Sequence, residues 1–215
     1  MDGVLQFLTR SIGKKLLMAL SGLGFCAFLA VHLIGNLFIY GGQDLFHSYV
    51  DHLHALGPLI YISEIGLLIL LCIHLTMAVT LYFQNLVARP VTYVKKRNAG
   101  GRTLASGSMP YTGLIILIFV IVHLITFKFA DHSQQTVFEI VSSTLSQPVY
   151  LSIYLLAMIV VGIHVNHGFW SAFQTLGIDH PKYMPAIKMV SIIYSLILGF
   201  GFGFIPIYIM LLSLS

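Results

Sequence analysis

The sequence predicts an all-α membrane protein whose five transmembrane helices form one bundle. Three observations carry that prediction. Of 215 residues, 58% are hydrophobic and only 8% charged, whereas soluble domains are about a quarter charged. Five stretches are each long enough to cross a hydrocarbon core, which takes about 20 apolar residues in helix. Hydrocarbon offers no partners for backbone N–H and C=O groups, so such stretches must satisfy them internally as helix.

The five predicted spans are Lys15 to Tyr40, Pro58 to Phe83, Pro110 to Phe129, Val149 to Gln174 and Lys188 to Leu212. The first follows Lys14 and Lys15 and contains small residues, as a secretory leader does, but its apolar run is too long for one. It also holds His32, which a discarded leader would not need. The connections read as short loops, the longest being Asn85 to Met109 with its Asn-Ala-Gly-Gly-Arg stretch. Residues 1–215 thus read as a single transmembrane domain, with no soluble domain left over.

Basic residues set the orientation. Arg10, Lys14 and Lys15 precede the first span. Arg89, Lys95, Lys96, Arg97 and Arg102 lie between the second and third, and Lys182 and Lys188 between the fourth and fifth. These positions share one side, the cytoplasmic one by the positive-inside rule. The other side carries Lys128 among Asp44, Asp51, Glu64, Asp131 and Glu139. The N-terminus is expected inside and the C-terminus outside. The net charge of +4 is explained by these flanking residues and by anionic lipid, so nucleic acid is not an expected partner.

Ten histidines are present, and they fall into two groups. His47, His52, His54, His132, His167 and His180 lie in loops or near span ends. His32, His74, His123 and His164 each sit inside a different apolar span, two of them in the same tetrapeptide, VHLI. Helical rise places His74 and His164 roughly 15 Å from the cytoplasmic end, His123 nearer 20 Å and His32 about 25 Å. His32 can therefore face His123 in an outer layer, and His74 can face His164 in an inner one.

Two opposed imidazoles per layer suit a haem, which takes one axial ligand on each side of its plane and whose apolar macrocycle belongs between greasy helices. Zinc would want further Cys, Asp or Glu at the same depth. The alternative use of a buried histidine is a hydrogen bond between helices, but four that pair by depth favour ligation. Gly35, Ala78 and Gly168 share a helical face with His32, His74 and His164 and leave room for a flat ring. Phe119 and Phe127 flank His123. Cys26 and Cys72 stand singly with no C-x-x-C-H, so each haem is expected to be non-covalent, of the b type. The cysteines themselves read as small packing residues.

In combination, FLAVHLIGNLF, SEIGLLILLCIHLTMAVTLYF, IVHLITF and IHVNHGFWSAFQTLGI resemble the diheme cytochrome b membrane-anchor subunit of succinate:quinone oxidoreductases and quinol:fumarate reductases, the class with one large anchor subunit. In the last stretch the family pattern selects His164 over His167. The resemblance implies two haem b groups, the outer on His32 and His123 and the inner on His74 and His164. It also implies a respiratory-chain role, passing electrons between a membrane quinone, usually menaquinone, and soluble partners on the cytoplasmic face of a bacterial or archaeal inner membrane. Those partners are a flavoprotein with FAD and an iron–sulfur protein. Whether two such heterotrimers pair into a dimer stays open. The alternative class is a haem-free anchor or small transporter, although broken spans and inverted repeats are not evident.

Quinone chemistry needs a proton-accepting group near the membrane surface. Glu64, ten residues outward from His74, is the candidate, and the resemblance supports a Glu there. Its alternative use is an interfacial carboxylate reaching back to water. The cluster FHSYVDHLH, with His47, Asp51, His52 and His54, reads as an outer loop of mostly solvated residues, of which one at best would relay protons. Some family members carry an acid two residues before the fourth-span ligand. Here that position is Gly162, so no proton route through it is implied. Arg89, Lys95, Tyr93, Ser21 and Trp170 are candidate propionate donors, with Trp170 and Tyr82 equally suited to anchor at the interface. Asn36 can bond a quinone carbonyl or a neighbouring helix.

Overall fold

The computed structural model describes residues 10–88 and 104–214, with side chains from residue 106 in the second segment. Arg89, Tyr93, Lys95, Lys96, Arg97 and Arg102 lie outside the described residues. Within them the chain is helical throughout, with five helices long and apolar enough to cross a membrane. It is a multi-pass membrane protein.

Helix α1 spans Ser11–Leu37 and runs into a 3-10 turn, Phe38–Gly41. Helix α2, Gln43–His54, is short and follows Gly42. Helices α3 (Pro58–Val87) and α6 (Pro148–Thr175) each begin with proline at the first turn, where its missing N–H would be unpaired anyway. Helix α4, Leu104–His123, continues into a π-helical turn, Leu124–Lys128. Helix α5, Val137–Leu145, precedes α6, and α7, Met184–Leu214, closes the chain. The spans are α1, α3, α4, α6 and α7. The third span starts before Pro110 and carries that proline inside the helix.

Packing around the bundle follows a simple order. Helix α6 lies at the centre, against α7, α1 and α4, while α3 leans on α1 and has no buried residue of its own. Going round, α3 touches α1, α1 touches α6, and α6 touches α4, so α1 and α4 form one diagonal and α3 and α6 the other. Helix α7 packs outside this four-helix ring on α6 and α1. Leu33, Ala157, Met158, Val161, Val165 and Leu198 form the core between α1, α6 and α7. Large apolar side chains such as Ile69, Leu114 and Leu196 stand exposed along the outer faces, as lipid-facing residues do. Polar bonds also tie α7 inward, from the Ser191 hydroxyl to the carbonyl and side chain of Asn166 and from the Tyr194 hydroxyl to the carbonyl of Cys26.

The expectation of bare loops at the Leu214 end is corrected in two places. FHSYVDHLH belongs to helix α2, not to a loop. Its Phe46 packs inward at 5% exposure, Phe38 stacks on Tyr49 at 4.9 Å, and the histidines lie along the other faces. Gly42 (φ 87°) and Gly57 (φ 55°) supply the left-handed turns that let this helix leave α1 and enter α3. Helix α5 is the second. Thr136 accepts from the Glu139 N–H while the Glu139 carboxylate accepts from the Thr136 N–H, a complete capping box. Phe46 and Phe138 meet at 6.2 Å, so α2 and α5 together roof this end over Ile39, Leu145, Tyr154, Ile205 and Ile209.

Candidate haem-binding layers

The four span histidines fall on the two diagonals of the ring. His32 on α1 and His123 on α4 lie in an upper layer, toward the Leu214 end. Their ring centres are 6.0 Å apart with planes at 86°. Imidazole nitrogens bind a metal at about 2.0–2.1 Å, so two imidazoles on opposite sides of one ion have ring centres roughly 6 Å apart. His74 on α3 and His164 on α6 lie in a lower layer, bonded to hydroxyls of the other two helices of the ring, Ser21 on α1 and Thr112 on α4. Among the described residues no three or more His, Cys, Asp or Glu side chains gather as a metal site; the imidazoles come in twos.

Each histidine is held through Nδ1. In the lower layer, the Ser21 hydroxyl of α1 is 3.0 Å from His74 Nδ1, and the Thr112 hydroxyl of α4 is 3.0 Å from His164 Nδ1. In the upper layer, the Tyr154 hydroxyl of α6 is 3.2 Å from His123 Nδ1. The Asn36 amide is 3.4 Å from His32 Nδ1 and donates to the His32 carbonyl at 2.8 Å. A hydroxyl that accepts from Nδ1–H leaves Nε2 as the ligating nitrogen, the arrangement that metal-bound histidines use, whereas the Asn36 amide nitrogen can only donate to His32 Nδ1. The partners at His74, His123 and His164 are thus compatible with haem ligation through Nε2.

The surroundings of the two layers differ. Phe28 stacks on His32 at 5.2 Å, Phe202 lies 5.5 Å from it, and Phe119, Phe127 and Tyr154 ring His123 at 5.9, 5.3 and 6.1 Å. The lower layer is barer, with Phe25 edge-on to His74 at 5.7 Å. Glycine backbone lies there instead. A Cβ added at Gly22 or Gly113 would stand 3.5 Å from Cε1 of His74 or His164.

Several expectations about supporting residues shift. Gly35 does not make room beside His32: a Cβ there would meet the Tyr49 hydroxyl at 2.1 Å, so it seats helix α2. Gly168 faces Met109. The glycines that touch imidazoles sit on the neighbouring helix, because a helical side chain lies over the facing backbone and not over its own. Ser21, expected as a propionate donor, bonds His74 instead. Trp170 lies under the Lys188 ammonium at 4.9 Å and edge-on to His167 at 4.9 Å. Gly162 packs on α7, where a Cβ would stand 3.6 Å from the Ser195 carbonyl.

Glu64 has a partner that the sequence reading did not give it, an ion pair with Lys128. Lys128 closes the π turn, whose wider winding carries a residue five positions after His123 round toward the same side of the helix. The pair joins α3 to the end of α4, two segments whose helices otherwise make little contact. The available signal was Lys128's isolation as the one basic residue on an acidic side. On α2, His47 pairs with Asp51 at 3.4 Å and His52 Nδ1 bonds the Ser48 carbonyl at 2.6 Å. At this end, hydrogen bonds from Ser133 to Asp131 and from Thr136 to Glu139 hold both carboxyls below their usual range.

The chain is similar to the succinate dehydrogenase cytochrome b558 subunit of Bacillus subtilis (strain 168). The two are 28% identical over 156 residues, which span 70% of this chain and 72% of the relative. The resemblance read from the four quoted stretches is borne out at that level. No protein-family model matches the chain, and no solved structure matches it.

Proposed function

We propose that this chain is the cytochrome b membrane anchor of a succinate:quinone oxidoreductase or quinol:fumarate reductase complex. The observation that carries the proposal is the placement of four histidines on four spans, His32 meeting His123 across one diagonal and His74 and His164 bonded to Ser21 and Thr112 at another depth on the other. The similarity to a succinate dehydrogenase cytochrome b subunit supports the same reading.

His32 and His123 would hold one non-covalent haem b and His74 and His164 the other. Two haems so held would supply one-electron chemistry between a two-electron quinone and an iron–sulfur partner. The chain's own residues supply the rest. The four imidazoles would hold the haems, aromatic rings from α1, α4, α6 and α7 would keep water from the upper layer, and Glu64, steadied by Lys128, would accept or return the quinone proton at its carboxylate. The partner subunits, a flavoprotein carrying FAD and an iron–sulfur protein, would dock at the Ser11 end. Arg10, Lys14, Lys15, Lys182 and Lys188 gather there, which by the positive-inside rule makes that end cytoplasmic. The quinone, menaquinone in this reading, would bind near the other end, beside Glu64.

The test is purification from the native membrane through a tag on this chain. The expected result is co-purification of the two soluble subunits, b-type bands in a reduced-minus-oxidised spectrum, and succinate- or fumarate-linked quinone turnover. A colourless, folded preparation without those partners supports a haem-free anchor or transporter and overturns the proposal.

A further inference from the structure

We propose that Ser21-Gly22 and Thr112-Gly113 are paired seats that fix the tautomer and ring position of the two lower-layer histidines. The inference rests on the haem reading above and concerns residues with no place in that reading. It begins with proton counting. A hydroxyl has one proton to donate and two lone pairs to accept with. The Ser21 hydroxyl donates to the carbonyl of Met18 at 3.1 Å, and the Thr112 hydroxyl to those of Ser108 and Met109, each at 3.1 Å. With the proton turned to its own helix, each oxygen can only accept from the imidazole 3.0 Å away. In this proposal His74 and His164 therefore carry their proton on Nδ1. A neutral imidazole protonated there has its lone pair on Nε2, the state that ligates iron without further rearrangement.

The second half of each seat is backbone. Gly22 and Gly113 follow the hydroxyl residues directly, and each lies against Cε1 of the same imidazole, 3.5 Å from where a Cβ would stand. One dipeptide thus meets two neighbouring ring atoms, which fixes rotation as well as position. The two seats repeat in sequence. Each lies at the same distance before a VHLI motif: Ser21 is eleven residues before His32 and Thr112 eleven before His123. Eleven residues are about three helical turns and roughly 16–17 Å of rise, so the seat and the histidine share one face of the helix at two heights. Helices α1 and α4 therefore serve both layers, giving a ligand to the upper and a seat to the lower.

The upper layer is fixed differently. Among the described residues the Tyr154 phenol makes no other hydrogen bond than the one to His123, so its proton is free to point either way. The Asn36 amide nitrogen is a donor with two protons, one given to the His32 carbonyl and the other facing His32 Nδ1, which can then only accept. Only the lower pair has its tautomer dictated by oriented hydroxyls. A hydrogen bond accepted from Nδ1–H makes the imidazole a stronger donor to iron, which favours the oxidised state and lowers the potential.

The experiment uses the intact membrane complex and reads redox titration of the b-type absorbance together with low-spin electron paramagnetic resonance, neither of which needs turnover. His74→Ala identifies the lower component. Ser21→Ala and Thr112→Val should each weaken retention of that component about 10- to 100-fold or, where it is retained, raise its potential, while the upper component stays as in the wild type. Thr112→Ser keeps the hydroxyl and should behave as wild type. Unchanged potential, signal and retention in both Ser21→Ala and Thr112→Val overturn the proposal while leaving the haem reading intact. A colourless wild type sinks both. If Thr112→Val loses both components, Thr112→Ser must regain both, and its failure to do so also overturns the proposal.

Discussion

The two histidine layers use the same pair of imidazoles and opposite means of support. The lower layer is held by backbone and small alcohols on adjoining helices, Ser21, Gly22, Thr112 and Gly113, whose geometry is set by helix packing. The upper layer is held by bulky rings, Phe28, Phe119, Phe127, Tyr154 and Phe202, and lies below a roof made by α2 and α5. The first device brings helices close and leaves few adjustable atoms. The second fills space with side chains, shields the site and leaves an ion pair, Glu64 with Lys128, at its edge. Under the proposed function the lower layer would exchange only electrons, which calls for rigidity, and the upper would work beside a protonating quinone, which calls for a dry pocket with a charged neighbour.

That contrast can be broken most forcefully at the ligands. His32→Ala or His123→Ala should remove the upper chromophore and spare the lower, and His74→Ala or His164→Ala the reverse, as read by difference spectra of purified complex. Joint loss in every variant would show that the layers are not separable. Next in size, Glu64→Gln should lower quinone turnover roughly 100-fold or more, the usual loss when a proton-transfer group is removed, with both b-type bands unchanged. A smaller, structural effect is expected at Gly35→Ala. The new methyl would collide with the Tyr49 hydroxyl, and relieving an overpacked contact of this kind costs about 1–3 kcal/mol. Melting followed in each layer's bands should fall first in the upper one.

The smallest effect concerns the roof. Thr136→Ala removes the cap of α5 and should cost about 1 kcal/mol, seen as faster amide exchange in that helix alone. The same cap depends on pH. The Glu139 carboxyl is lowered from its ordinary value by its bonds to Thr136. Its contribution is therefore complete above the ordinary glutamate range and is lost as pH falls through the lowered value. Exchange in α5 should quicken on acidification over that window, and an exchange rate independent of pH there would contradict the cap.

Much of this was legible before any coordinates, because transmembrane helices write themselves in composition. The five spans and the isolation of His32, His74, His123 and His164 within them follow from the cost of putting imidazole in hydrocarbon. What composition could not give were contacts between helices. Ser21 and Thr112 look like ordinary small residues of a membrane helix until α3 and α6 bring imidazoles against them. Their equal spacing from the two VHLI motifs was visible, but spacing acquires meaning only when the diagonal arrangement is known. Helix α5 announced itself through Thr136 and Glu139, a capping signal that is hard to credit in a short stretch beside long apolar runs. Helix α2 was obscured by its histidines, which read as a titratable loop although Phe46 and Tyr49 mark an inward face. Lys128 reached Glu64 through a π turn, a local winding that periodicity at 3.6 residues does not anticipate.

The most direct measurement of the central idea is haem content per chain, taken by alkaline pyridine extraction of the complex against quantitative amino-acid analysis of this subunit. The proposed ligation by two diagonal histidine pairs predicts two non-covalent b haems for each polypeptide, with none left attached after acid-acetone treatment. A ratio of one would dissolve one of the two layers, and a ratio of zero would reduce all four imidazoles to hydrogen-bonding links between helices.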